Sequence, residues 1–458
     1  MKKPLYLLIV LAGCRGAYKA PDVAMSGQFI TQEATLNYKS FQPRFWELLN
    51  DPTLNRLAGL VESSNFDILQ AKEQIAQLRA QYRFQTSQLF PQIGAFGSTR
   101  RERDTQTLTY SQFTGTVLQS IYQLGFDASW EVDLFGVQLA AKQGAFFTMM
   151  SQVEQAALIK LSFVSELVLQ YVNLRHFQAL VRTYTEELKV LEEIQDLSQN
   201  RFGSGLNDQT TALLNLSRIQ DKQAQIEKTA ADIDKLIFLI TQLTGKFPEA
   251  EYQSLKQASC LEGEIPLIYP DIPSDIVLAR PDVAAARYQL FAAQAALKKA
   301  YRDFFPQFNI TSAYGVLSNF PQVLFKKPSL QWDIMPGFNV TLIDFGALIA
   351  EKNAAKSGEK QALYAYENSL VKAFSEIETA LSGVKATNLQ VKSLEEELIT
   401  LKEKTADFSE RFKVGLIEKT QVLESYLEEL YLEELILKAV NDRYGFVISF
   451  YKAIGVRL

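Results

Sequence analysis

Acid-base or nucleophilic chemistry needs titratable side chains at set spacings, and few groups here qualify. The chain holds one histidine, His176, and two cysteines, Cys14 and Cys260. No H-E-x-x-H, C-x-x-C, G-x-G-x-x-G or G-x-x-x-x-G-K-[ST] phrase is present, so zinc and nucleotide sites lack their usual scaffolds. His176 is expected on a helix surface. Carboxylates are plentiful, but the run Glu395, Glu396, Glu397 reads as a solvated helix face rather than an acid/base pair. The net charge of −5, from 47 Lys plus Arg against 52 Asp plus Glu, offers no basic excess to nucleic acid. The expectation is a protein that is not an enzyme, carries no cofactor or metal and binds no nucleic acid.

The spaced residues that do stand out lie at chain ends and turns. The N-terminus, "MKKPLYLLIVLAGCRGAYKAP", has two lysines, an apolar run from Leu5 to Ala12 and small residues before Cys14. That is the layout of a secretory signal peptide, too short for a mature transmembrane helix. Leu11-Ala12-Gly13-Cys14 resembles the bacterial lipobox, which implies removal of residues 1–13 and a covalent lipid, palmitate included, on Cys14. No other segment approaches roughly 20 uninterrupted apolar residues, so any membrane spanning falls to strands.

Two hexapeptides, "RFGSGL" at 201–206 and "RFKVGL" at 411–416, recur at an offset of 210. The offset belongs to an internal two-fold repeat. "LFPQ" from Leu89 pairs with "FFPQ" from Phe304 at an offset of 215, and "DLFG" ending at Gly136 pairs with "IDFG" ending at Gly346 at 210. The indel between these marks belongs in exposed loops, expected at 104–119 and 319–331. Val181, Tyr184, Leu188 and Leu191 keep heptad spacing, and Val391, Leu394, Leu398 and Leu401 repeat it. Two such seams predict long helices packed as coiled coils. Proline is absent from 92 to 247 and after 336, so helices over about 137–201 and 347–411 are permitted. The hexapeptides then read as helix-helix turns: arginine suits the negative end of the helix dipole, and glycine allows the left-handed stop. Helices over about 207–243 and 418–454 follow.

Between these helices the period changes to two. Phe126, Ala128, Trp130 and Val132 alternate with Asp127, Ser129, Glu131 and Asp133, and Phe308 and Ile310 alternate with Gln307, Asn309 and Thr311. Phe338, Val340 and Leu342 continue the pattern in the second copy. Apolar-out, polar-in alternation is what a membrane barrel strand requires. Two strands per repeat give four per chain, too few to close. Two chains would give 8 strands with a bore filled by side chains, three would give 12 with a passage, and three is favoured.

"LARPDVAAARYQLFAAQAALKKAYRDFFPQFNIT" from Leu278, "SWEVDLFG" from Ser129 and the paired tip phrases resemble the outer membrane factors of Gram-negative bacteria, the TolC-type channels, and more closely their lipoprotein efflux branch. The resemblance runs from about Trp46 to Gly455. It implies a homotrimer, mainly α with a small membrane β-barrel: four strands per chain pooled into a 12-strand barrel, and long coiled-coil helices continuing as an α-barrel into the periplasm. It implies docking to a periplasmic adaptor (a membrane fusion protein) and an inner membrane transporter through the helix tips, here Arg201, Phe202, Gly205, Leu206, Arg411, Phe412, Gly415 and Leu416. The family's constriction is ringed by acidic residues after the second tip; Gln421 and Glu424 hold those positions, so one carboxylate is lost.

The resulting organisation is a signal peptide at 1–13, a lipid-anchored segment at 14–52, repeat 1 at 53–245, an irregular connection carrying Pro248, Pro266, Pro270 and Pro273 at 246–274, and repeat 2 at 275–458. The leading function is a passive duct exporting small molecules such as drugs across the outer membrane. The runner-up is an outlet for type I protein secretion, and a bracing envelope lipoprotein without a channel is the alternative outside transport.

Overall fold

A computed structural model describes residues 18–21, 44–103, 118–204, 209–257 and 275–455 of the chain. The lipidation candidate Cys14, the tip residues Gly205 and Leu206, and Cys260 lie outside them. A one-turn 3-10 helix (Phe45–Leu49) precedes α1 (Pro52–Ser64) and α2 (Phe66–Ser87), then β1 (Gln92–Arg103) and β2 (Leu118–Val132). Next come α3 (Val137–Gly203), α4 (Gln209–Leu243), the short α5 (Tyr252–Lys256) and α6 (Asp275–Ala279), and α7 (Pro281–Arg302). β3 (Gln307–Ser318), β4 (Leu330–Asn339), α8 (Ala347–Lys413) and α9 (Lys419–Ile454) close the chain.

The repeat legible in sequence is a repeat of elements. α3 and α8 each run 67 residues, and α4 and α9 run 35 and 36. Each long helix starts from the same device: a left-handed glycine, Gly136 (φ +80) or Gly346 (φ +93), just ahead of it. An upstream aspartate then takes up first-turn amides: Asp133 accepts from Leu139 N at 2.8 Å, and Asp344 from Leu348 N at 2.8 Å. Free N–H groups at a helix start need such acceptors, and a carboxylate also suits the positive end of the dipole.

The chain divides into two compact units, each taking pieces of both repeats: residues 1–22, 74–152 and 285–366, and residues 23–73, 153–284 and 367–458. The first unit holds an antiparallel sheet in the order β1-β2-β3-β4. Its registers place Gln92 opposite Ser129, Val132 opposite Phe308 and Gln307 opposite Asn339. The second unit holds the main core. Val164, Leu167, Val168 and Leu174 of α3 pack with Leu54, Leu57 and Val61 of α1, Ile237 and Ile240 of α4, and Val447 and Tyr451 of α9. Each such fully buried aliphatic side chain stabilises the fold by about 1.5–3 kcal/mol. Phe45 and Trp46 join this core, so the described end of the N-terminal segment is packed rather than free.

Polar groups inside this unit are satisfied as a network. Asp51 caps α1 by accepting from Thr53 N at 2.8 Å and Leu54 N at 3.2 Å, with Pro52 at the first helical position. Its second oxygen accepts from Tyr171 Oη at 2.5 Å, and Arg175 donates to the same hydroxyl at 2.6 Å and to Gln257 O at 3.0 Å. Burial, with the Asp51 bond, pushes the Tyr171 hydroxyl up to about 12.

Four expectations need correction. The strand predicted through Val340 and Leu342 stops at Asn339, because β3 has no residue left to pair beyond Gln307. The expected loops are shorter than drawn, since Gln119 lies in β2 and Leu330 and Gln331 in β4. His176 is half-buried in α3, where burial lowers its pKa and holds it neutral. The connection after Lys246 is partly helical through α5, with Leu255 fully buried and Glu251 held by Arg56 at 2.6 Å. The expectation of no further uninterrupted apolar run stands: α3 contains an 18-residue window apolar enough to cross a membrane by length and composition, but charges such as Lys160 and Glu166 interrupt the helix, which supplies the core residues named above.

Candidate functional site

Two regions hold the strands and tip residues singled out in the sequence, and each is built by its own unit. In the sheet, residues directly opposite one another project to the same face. One row runs Ala95, Phe126, Tyr314, Trp332, and the neighbouring rows Ala128, Ser312, Ile334 and Val132, Phe308, Phe338. The other face carries Asp127, Ala313 and Asp333 in one row and Glu131, Asn309 and Gly337 in another. The apolar face is bare: Phe126 is 60%, Trp332 70% and Phe338 68% exposed. A soluble sheet would bury such a face against another layer. Here one greasy and one wet face run along four strands with neither face covered, the arrangement of a barrel wall between lipid and water.

The helix tips form in the second unit. At the end of α8, Leu416 N donates to Arg411 O at 2.9 Å and Gly415 N to Phe412 O at 2.9 Å, with Gly415 at φ +79. That is a Schellman stop, which needs glycine at the left-handed position. It leaves Leu416 74% exposed and Phe412 at the turn, with Arg411 held back along its helix by Asp407 at 2.8 Å. At the end of α3, Phe202 is likewise exposed and Arg201 donates to the Glu418 carboxylate at the start of α9. The two phrases therefore do different local work: one arginine crosses between helices and the other does not. The Arg201 hydrogen bond and charge hold the Glu418 carboxyl below its usual range.

Both constriction candidates are engaged. Gln421 closes a capping box with Glu418, its Oε1 accepting from Glu418 N at 3.4 Å. Glu424 is gripped by Arg218 of α4 through two bonds of 2.8 and 3.1 Å, which raises the pKa of the guanidinium. Its negative charge is thus balanced within the chain. Above these pairs Val190, Leu191 and Ile194 of α3, Ile219 of α4 and Leu423, Leu427 and Leu430 of α9 make a second apolar cluster. The second half of the predicted first heptad seam lies here, with Leu191 a member and Leu188 packed on it, while Val181 packs on the main core.

Sequence reasoning missed the cross-helix ion pairs flanking that seam. Lys222 Nζ of α4 lies 2.5 Å from Glu187 of α3, both mostly buried, and 4.3 Å over the Tyr184 ring, whose hydroxyl donates to Glu434 of α9 at 2.9 Å. Burial pushes the Glu187 carboxyl up, against the pull of Lys222. Lys419 meets Glu193, and Lys404 of α8 meets Glu428 at 2.6 Å. The available signal was a charge beside each heptad position, but partners on other helices cannot be read from spacing along one.

With this geometry in view, the relatives are informative. A family model described as outer membrane efflux protein matches residues 57–245 and 272–456. The solvent efflux pump outer membrane protein SrpC of Pseudomonas putida is 25% identical over 464 residues, covering 99% of this chain and 97% of that protein. The cation efflux system protein CusC of Escherichia coli (strain K12) is 24% identical over 469 residues, covering 99% and 98%. Among solved structures, the outer-membrane channel OprN superposes with a TM-score of 0.87 at 23% identity over 96% of this chain and 98% of that one. The Campylobacter jejuni CmeC outer membrane channel gives 0.86 at 20% identity, covering 97% and 94%. The family match spans both repeats, and the two-faced sheet and paired helix tips agree with it: the chain belongs to the outer membrane efflux protein family.

Proposed function

We propose that three copies of this outer membrane efflux protein pool their sheets into one twelve-stranded barrel and serve as the passive outer membrane duct of a tripartite pump. The observation that carries the reading is the four-stranded sheet with two unlike, uncovered faces and two free edges, β1 and β4. Open edges cannot stand in hydrocarbon, where an unpaired backbone group costs several kcal/mol. Eight strands would fill their own bore, and twelve leave a passage. α8 also leaves Val371, Leu389 and Ile399 more than half exposed, apolar surface that neighbouring copies would cover. Relatives are named for efflux of solvents and of cations, cargoes that differ in charge, which suits a duct that leaves selection and energy to its pump.

Cys14 is proposed to carry the anchoring lipid, with no other cofactor. Tyr18, four residues on, supports a short leash: it donates to Gln143, meets the Phe147 ring edge-on at 4.9 Å and has Lys298 Nζ 3.6 Å above its ring. The exposed Phe202 and Phe412 at the tips are the proposed anchors for a periplasmic adaptor, since interfaces draw most of their energy from a few aromatic side chains. Phe412→Ala is expected to weaken adaptor capture in a pull-down by about tenfold, the scale of a modest hot spot, while trimer yield stays unchanged. Equal recovery would remove Phe412 from the interface.

The Arg218–Glu424 clasp is proposed to help hold the periplasmic end narrow. Its side chains are each over 40% exposed, so Arg218→Ala is expected to cost under about 1 kcal/mol of stability. The same change is expected to lengthen single-channel openings and to free the Glu424 carboxylates to favour cations. Unchanged gating and selectivity in Arg218→Ala would retire the clasp.

A further inference from the structure

The two halves of the chain repeat their strand register as well as their helices. β3 is β1 advanced by 215 residues from end to end. Advancing β1 by 215 and β2 by 210 turns the pair Gln92↔Ser129 into Gln307↔Asn339, which is the observed β3–β4 pair. The β2–β3 pairing, from Tyr122↔Ser318 to Val132↔Phe308, has no such counterpart within the chain, because β1 and β4 are opposite edges of the sheet. Carried by the same offsets, it becomes a β4–β1 pairing between two copies. Trp332 then faces Arg103, Val340 faces Ala95 and Leu342 faces Ile93 of the partner subunit.

Three features fit this register. First, β4 stops at Asn339, yet the counterparts of 340–342, residues 130–132, are strand, and they pair only with β3 because β1 ends opposite Ser129. The stretch unpaired in one chain is therefore the stretch the repeat assigns to a neighbour. Second, the faces agree: Val340 and Leu342 fall at the same alternate positions as Phe338, and Ile93 and Ala95 lie on the face of Phe126, so apolar meets apolar on the bare face. The single like-charge pair of the register, Asp333 with Glu102, has Arg100 as its diagonal neighbour, 2.7 Å from Glu102 within its own chain. Third, Phe135 stacks on Phe305 at 4.7 Å and 20° where β2 leaves the sheet beside β3. The counterparts of those two rings are Phe345 and Phe90. Both are exposed, Phe345 fully, and Phe345 stands at φ +53, strained for a residue with a side chain.

We infer that β4 extends to Leu342 on the partner subunit's β1 in this register, and that Phe345 stacks on Phe90 across the seam as Phe135 does on Phe305. This rests on the barrel reading and specifies its closure residue by residue. The occupant of each edge is a second copy of the chain, because the internal repeat supplies the complementary strand pattern.

The test is disulfide trapping in the full-length protein with Cys260→Ser. Val340→Cys with Ala95→Cys, and separately Leu342→Cys with Ile93→Cys, are expected to oxidise into covalent trimers, since directly opposed strand residues have Cβ atoms about 4.5–5.5 Å apart. Val340→Cys with Gly97→Cys, slipped by two, is expected to give little. Phe345→Ala and Phe90→Ala are each expected to lower the temperature at which the SDS-resistant trimer dissociates, and to be non-additive when combined because they remove one contact. Cross-linking of the slipped pair in place of the opposed one, or additive alanine effects, would overturn the register while leaving the trimer standing. A monomeric mass with no cross-link in any pair would overturn the barrel reading along with it.

Discussion

Arg280→Met is expected to destabilise the folded chain by about 3 kcal/mol, a large effect for a residue remote from barrel and tip. Arg280 is buried to 4% side-chain exposure and ties three elements together. It binds Asp282 at 2.8 and 3.0 Å, Glu376 of α8 at 2.7 Å, and the carbonyls of Ala373 and Ala453. Ala453 lies in the last turn of α9, where carbonyls lack helical partners and a cation meets the negative dipole end. Methionine fills the volume but strands two carboxylates and those carbonyls. The loss is set at the lower end of the range for a broken buried pair because Asp282 and Glu376 retain some water contact. Asp282→Asn with Glu376→Gln in the same chain is expected to recover part of it, by removing the stranded charge.

The effect has a pH signature of fixed sign. Burial pushes the Asp282 carboxyl up, but the Arg280 bond and charge with the Val283 amide outweigh it, leaving the pKa below 3.8. A carboxyl depressed in the folded state contributes stability above its unfolded pKa and loses it as pH falls through the folded value. Wild type and Arg280→Met are therefore expected to converge below about pH 3.8 in thermal denaturation and to stay apart at neutral pH. A gap that persists in acid would assign the loss to packing instead.

The second large effect separates the two faces of the sheet. Phe126→Arg puts a charge on the bare apolar face, between Ala95 and Tyr314, and is expected to cost about 2–4 kcal/mol if that face meets the bilayer midplane. Asp333→Arg, on the opposite face beside Ala313, is expected to cost about 1 kcal/mol or less and to shift ion preference from cations toward anions. Urea titration of folding into vesicles gives the first quantity and reversal potentials the second. Equal destabilisation by both changes would mean that the faces are not lipid and water.

Much of this was legible in the sequence because the repeat and its periodicities are local. Gly136 and Gly346 marked the starts of two helices that proved equal in length, and the Leu188–Leu191 seam packed as its heptads required. What the sequence hid depends on partners elsewhere. Val340 and Leu342 read as strand by alternation, yet a strand forms only where a neighbour offers hydrogen bonds, and among the described residues of one chain none does. Glu424 holds a constriction-ring position by resemblance, and nothing near it in sequence announces its partner Arg218 on another helix. His176 looked superficial because a single polar residue carries no signal of which helical face is packed. Arg280 stands in the stretch from Leu278 that carries part of the family resemblance, and its three-way contact with Asp282, α8 and α9 gives that stretch a physical reason.

The proposed duct requires separate chains to close one conducting barrel. It is tested most directly by recording planar-bilayer conductance of the detergent-purified protein with its native mass determined on the same sample. A trimer with small, discrete openings that lengthen in Arg218→Ala is expected. A folded monomer, or a trimer that stays silent in both wild type and Arg218→Ala, would contradict it.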